Sequence, residues 1–154
     1  LAGCGMTSDA GHITRPDITG ITSAMKNALH HADMSAKEVD YINAHGTGTQ
    51  LNDVTETEAI KQVFGDHAKK LAVSSTKSMH GHALGASSAL ELVATTLAIH
   101  HGIIPPTANF TEADELCDLD YVPNEARDKK LRTAISSSFA FGGLNAVIAL
   151  KKYS

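Results

Sequence analysis

Val39-Asp40-Tyr41-Ile42-Asn43-Ala44-His45-Gly46-Thr47-Gly48-Thr49 opens the stretch that decides the fold, and Asp53-Val54-Thr55-Glu56 continues it. Val39 to Ala44 is short and rich in β-formers, which predicts a strand. The alternating Gly and Thr after His45 predict a loop. Asp53 and Glu56 have capping-box spacing, and the helix they predict carries Ile60, Val63 and Phe64 on one face before Gly65 ends it. Strand, glycine-bearing loop and helix in that order make one step of an α/β fold.

The flanks repeat the step. Upstream, Ile21, Ala24, Met25, Ala28, Leu29 and Ala32 fall on one helical face. Leu1 to Thr7 is small and apolar and predicts an opening strand, with a loop over Asp9 to Thr19. Downstream, Leu71 to Ser74 predicts a strand. Ala83 to His101 predicts a long helix, ended by Gly102 and Pro105-Pro106. Thr107 to Arg132 has no clear period and predicts an ordered excursion with a short strand at Leu119 to Val122. Thr133 to Ser138 and Asn145 to Lys151 predict two strands around Phe139-Ala140-Phe141-Gly142-Gly143-Leu144. The order β-α-β-α-β-α, loop, β-β implies a mostly parallel sheet with helices on its faces and one antiparallel strand. Ligands of such sheets gather at the carboxyl ends of the strands.

Composition narrows the function classes. The chain has 154 residues, room for one domain, and 42 % apolar against 19 % charged residues excludes disorder as the main state. A net charge of −4 argues against a nucleic-acid partner, which would ask for a basic face. No apolar run is long enough to span a membrane. Two cysteines, Cys4 and Cys117, are too few for a disulfide framework and suit the reducing cytoplasm. The chain opens on Leu-Ala-Gly-Cys-Gly with no Met and no signal peptide, as though it began inside a strand.

Three segments just after predicted strands could hold chemistry. Asn43 to Thr49 offers an imidazole, exposed amides and two hydroxyls in one loop, or else a glycine-rich connector with a hydrogen-bonded His. Ser74-Ser75-Thr76-Lys77-Ser78-Met79-His80-Gly81-His82 puts Lys77 and His82 beside a predicted helix start, whose positive end favours a neutral imidazole. Its plainer reading is a solvated Lys and a capping His. Phe139-Ala140-Phe141-Gly142-Gly143 can line a pocket or donate amides to an oxyanion, or can be a hairpin turn with core aromatics. Glu91 lies in the run Ala89-Leu90-Glu91-Leu92-Val93, where a carboxylate is costly unless paired and Lys77 is the simplest partner to propose; the commoner reading is a Glu on a solvated helix edge. A three-His zinc site from His45, His80 and His82 lacks supporting Cys or carboxylate spacing, so no metal is expected.

Together, Asn43-Ala44-His45-Gly46-Thr47-Gly48-Thr49, Ser75-Thr76-Lys77-Ser78-Met79-x-Gly81-His82-x-Leu84-Gly85-Ala86 and Ser138-Phe139-x-Phe141-Gly142-Gly143-x-Asn145 resemble a β-ketoacyl-[acyl-carrier-protein] synthase, nearest to synthase II, with polyketide ketosynthases close behind. Gly5-Met6-x-Ser8-Asp9-Ala10 and Cys117-Asp118-Leu119-Asp120-Tyr121-Val122-Pro123 extend the resemblance along the chain. It implies the C-terminal half of a thiolase fold, a three-layer α/β/α unit on a five-stranded, mostly parallel mixed sheet, with the nucleophilic Cys in an absent N-terminal half. Neither Cys4 nor Cys117 has the nucleophile's setting.

The resemblance also implies roles. His45 and His82 would donate to the enolate of a decarboxylated malonyl thioester, and Lys77 would hold His82 and Glu91 in a polar network. The Phe141 amide would share the oxyanion hole while its ring gates the acyl pocket beside Phe139 and Gly142. Thr47 and Thr49 would bond the phosphopantetheine arm of acyl carrier protein. No other cofactor is implied. The expected partners are acyl carrier protein, the N-terminal half and, in the full-length enzyme, a second copy. Ala140 and Leu144 stand where the family commonly has Gly and Thr, and His80 replaces a common Thr. A non-catalytic decoy subunit is the competing class, disfavoured because His45, Lys77, His82 and Phe141 are all retained. An isolated half would leave an apolar face exposed and would self-associate.

Overall fold

The computed structural model describes residues 1–153. Five strands form one sheet in the order β1-β7-β6-β2-β3. They are β1 (Gly3–Ser8), β2 (Tyr41–Asn43), β3 (Ala72–Ser74), β6 (Thr133–Ala140) and β7 (Leu144–Lys151). β6, β2 and β3 are parallel, while β7 is antiparallel to both β6 and β1. Four strands therefore point one way and β7 the other, as the closing pair of predicted strands requires. A small second ladder pairs β4 (Ile103–Ile104) with β5 (Arg127–Asp128).

Helices cover both faces. On one lie α1 (Ile18–His31) and α2 (Gln50–Phe64), burying Ile21, Met25, Ile60 and Phe64 with Ile42 and Ile135. Asp17 caps α1, its carboxylate accepting the Thr19 amide at 2.7 Å. Gly3 and Gly5 let α1 ride directly on β1, since a Cβ on Gly5 would overlap Ala24 O and Ala28 N. On the other face lies α4 (Ser87–His101), where Ile99 and Ala98 pack with Tyr41, Leu131 and Leu150. The result is the expected three-layer α/β/α unit.

α4 is unusual in what it turns inward. Ser87, Glu91 and Thr95 are buried against the sheet, while Leu90, Val93 and Leu97 point outward at 45 %, 58 % and 49 % exposure. Their spacing of three and four residues makes one apolar stripe. No helix among the described residues is long and apolar enough to cross a membrane.

Three local expectations are corrected. α2 begins at Gln50 with Thr49 as its N-cap, so Asp53 lies inside the first turn and Glu56 is not a capping-box partner. The long fourth helix begins at Ser87, after a single tight turn at Leu84–Ala86. Leu119 to Val122 is not a strand. It makes one isolated bridge, Asp120 to Ala72, and Val122 turns away at φ 49, a left-handed backbone that a β-branched residue resists. A short helix, α3 (Lys77–His80), was not anticipated.

Candidate active site

The carboxyl ends of β2, β3 and β6 bring the three sequence segments together. β2 ends at Asn43, and His45 follows two residues later, 7 % exposed. Its ring packs edge-on to His82, with centroids 5.7 Å apart, and 5.4 Å from Phe139. His82 is itself exposed.

Hydrogen bonding fixes which ring nitrogens can donate. His82 Nδ1 takes the Leu84 amide at 3.1 Å, and a backbone N–H can only donate. Nδ1 is therefore bare and Nε2 carries the proton. Ser87 Oγ completes the hold, taking the Ala83 amide at 2.8 Å and lying 2.9 Å from His82 Nδ1. His45 Nδ1 is buried without a partner. A buried, unpaired N–H is rarer than an unpaired acceptor, so the proton again sits on Nε2. Burial, Lys77 and His82 push the His45 imidazole down to about 3, so it stays neutral near neutral pH. The site thus offers two neutral Nε2–H donors.

Behind them lies a buried polar network. Lys77, on α3, forms an ion pair with Glu91, on α4, and Glu91 is fully buried. Asn43 Nδ2 donates to Thr95 Oγ1 at 3.1 Å, to Thr76 Oγ1 at 3.2 Å and to the Glu91 carbonyl at 3.3 Å. The expected Lys77–Glu91 pairing holds. Lys77 makes no hydrogen bond to His82 among the described residues; the hydrogen-bond contacts of His82 run instead to Ser87 and Leu84.

Glu56 was missed as a functional residue. Its two carboxylate oxygens accept the His45 and Gly46 amides, each at 2.9 Å, and so hold the His45 loop from below. Its place on the helix face of Asn52 and Ile60 was the available signal, but an acidic residue near a helix start reads as solvated. Burial, opposed by those two amide bonds, pushes the Glu56 carboxyl up to about 7. The folded chain then keeps a proton that the unfolded chain releases. The associated stability is present below about pH 4.5 and is lost as pH rises through about 7. In urea titrations between about pH 4 and about pH 8, wild type is expected to lose about 3 kcal/mol more than Glu56→Gln. Parallel losses in the two proteins would show that Glu56 does not titrate this way.

Among the remaining predicted residues, Thr47 lines the neighbouring cavity. Thr47 Oγ1 and Thr49 Oγ1 bond each other at 2.9 Å. Thr47, Gly48, Lys77, His82, Cys117 and Tyr121 line part of a cavity of ≈ 740 Å³. Phe139 is buried, whereas Phe141 is 75 % exposed. The Phe141 amide has no protein acceptor among the described residues. Gly142, at φ 81, donates its amide to Ile13 O at 2.9 Å, which ties the turn to the loop after β1. Ala140 pairs with Leu144 as an ordinary strand residue, so the methyl group strains nothing. Cys4 lies on β1 and Cys117 on the far wall of the cavity, where burial pushes its thiol up. Neither thiol touches the His pair. No group of three or more His, Cys, Asp or Glu among the described residues is placed to hold a metal ion.

The profile of the beta-ketoacyl synthase C-terminal domain matches residues 1–111. Nodulation protein E of Rhizobium meliloti is 55 % identical over 152 residues, covering 99 % of this chain and 38 % of that protein. The 3-oxoacyl-[acyl-carrier-protein] synthase 2 of Coxiella burnetii is 55 % identical over 154 residues, covering 99 % and 37 %. Among solved structures, the ishigamide ketosynthase/chain length factor superposes with TM-score 0.96 at 45 % identity, covering all of this chain and 38 % of the other. A type II PKS acyl-carrier protein in complex with its ketosynthase bound to the hexaketide gives 0.97 at 38 % identity, with the same coverage. The chain spans less than two fifths of the length of these relatives. Fold, motif order and sequence identity agree: the chain belongs to the β-ketoacyl synthase family and corresponds to its C-terminal, thiolase-like domain.

Proposed function

We propose that this chain supplies the two-imidazole half of a condensing enzyme that extends an acyl thioester with malonyl-[acyl-carrier protein]. The observation that carries the reading is the pair of neutral Nε2–H donors, His45 and His82, with ring centroids 5.7 Å apart. In the proposed reaction the malonyl C–CO₂⁻ bond breaks and CO₂ leaves. The electron pair moves into the thioester carbonyl, and the resulting enolate oxygen accepts both imidazole hydrogens. The enolate carbon then attacks the acyl thioester on the nucleophilic Cys, whose sulfur leaves as thiolate. That Cys belongs to a preceding half, a reading supported by the chain's short span of its relatives and by the outward stripe of Leu90, Val93 and Leu97.

The other residues fall into supporting roles. Lys77 and Glu91 hold the floor of the site, and Glu56 holds the His45 loop. Thr47 and Thr49 bond the phosphopantetheine arm at the cavity mouth. Phe141 contributes its amide to the oxyanion hole and its ring to the acyl gate, beside Phe139 and Gly142. Acyl carrier protein delivers both substrates, and the full-length enzyme is a homodimer. No metal or further cofactor takes part.

Elongation of acyl-carrier protein is expected only when the Cys-bearing half is present with this one. Residues 1–154 alone should show none, and should self-associate in light scattering through the uncovered stripe. Elongation by this chain alone, or a monodisperse monomer, sinks the two-half reading.

A further inference from the structure

Met79-His80-Gly81-His82 sets a second imidazole two residues before His82. Its contacts are specific. His80 Nδ1 lies 2.8 Å from the Gly81 carbonyl, and Nε2 lies 3.2 Å from Thr76 Oγ1. A carbonyl only accepts, so Nδ1 carries the proton, and in the neutral ring the bare Nε2 faces the Thr76 hydroxyl. Thr76 Oγ1 in turn receives Asn43 Nδ2 at 3.2 Å.

These bonds form one line across the site. Asn43 closes β2, the strand that leads to His45. Thr76 immediately precedes Lys77. The Gly81 carbonyl belongs to the peptide that continues into His82. Gly81, at φ 78, has no side chain to hold that peptide, and its own amide is engaged by Lys77 O at 2.8 Å. The bond from His80 fixes the opposite end of the same residue.

We propose that His80 is a positioning residue that ties the Gly81–His82 peptide to Asn43 at the end of the strand that leads to His45, and so sets the spacing of the two imidazoles. This rests on the two-imidazole reading above. Held geometry matters because small misplacement of a donor lowers the rate without weakening substrate binding.

The test uses the full-length protein. His80→Ala is expected to lower kcat for malonyl-[acyl-carrier protein] condensation about tenfold, with KM within about twofold of wild type. His80→Asn keeps an N–H donor near the position of Nδ1 and is expected to restore kcat to within about threefold. Nitrogen-15 imidazole shifts supply an activity-independent reading: His80 should be protonated on Nδ1 in wild type, and the His82 ring resonances should move in His80→Ala as its peptide loses the bond from His80. Unchanged kcat in His80→Ala, an Asn variant no better than Ala, or a His80 protonated only on Nε2 overturns the proposal. If wild type shows no condensation, the functional reading fails, and the imidazole shifts alone still decide whether His80 holds Gly81.

Discussion

Replacing His45 by Ala in the full-length protein is expected to lower kcat for condensation by about 10²- to 10³-fold, the usual effect of removing one preorganised donor from an enclosed oxyanion site. The donor is strong here for two reasons. The ring is 7 % exposed, so water does not screen the charge it meets. It also costs little reorganisation, because Glu56 fixes the His45 amide at 2.9 Å and Phe139 packs 5.4 Å from the ring. The loss should fall on kcat, since the enolate exists only after CO₂ has left. Transfer of the acyl group onto the Cys makes no enolate and should survive in the variant. Measuring release of CO₂ separately from acyl loading distinguishes the steps, and a variant that decarboxylates at the wild-type rate refutes the assignment of His45.

Breaking the Lys77–Glu91 pair is the largest stability effect expected. Glu91 is fully buried and Lys77 is 7 % exposed, so neither charge has water to fall back on. Glu91→Ala strands the Lys77 ammonium and should cost about 3–5 kcal/mol of unfolding free energy. The double variant Lys77→Met, Glu91→Leu removes both charges at similar volume and should recover most of that loss. Urea unfolding of the single and double variants measures the coupling. If the double variant is as unstable as Glu91→Ala, packing rather than an orphaned charge is responsible. The same double variant should remain impaired in condensation, because Asn43, Thr76 and Thr95 would have lost the charged floor beneath them.

Most of the fold was legible because the sheet's helices announce themselves by period. The face from Ile21 to Ala32 marks α1, and Gly102 marks the end of α4 where its left-handed backbone, φ 71, requires it. The hairpin turn at Gly142-Gly143 was equally plain. What was not legible came from tertiary contacts. Thr49 rather than Asp53 caps α2, since four more residues can join the helix once the loop after His45 is tied down by Glu56. Leu119 to Val122 has strand-like composition, but Asp120 bridges the sheet edge and Val122 leaves it.

The site divides in the same way. A carboxylate in the apolar run around Glu91 points to a partner such as Lys77, and the pairing is present, but the run alone equally suits a solvated helix edge. Glu56 gives no such sign, since only its burial separates it from an ordinary surface acid. The tautomers of His45 and His82 were beyond the sequence altogether. They depend on the Leu84 amide that His82 Nδ1 accepts and on the burial of His45 Nδ1 away from any hydrogen-bond partner among the described residues.

The paired glycines of β1 have a consequence for alignment of the chain with itself. β1 is an edge strand with one ladder, to β7, and no second strand among the described residues fixes its register. A slip by one residue would swing Cys4 and Met6 onto the face now occupied by Gly3 and Gly5, into the backbone of α1. The helix that follows β1 in sequence therefore acts as a ruler for it, and the Thr7 hydroxyl bond to Gly20 O at 2.8 Å and the Cys4 amide bond to His31 Nδ1 at 3.2 Å hold the two in that alignment.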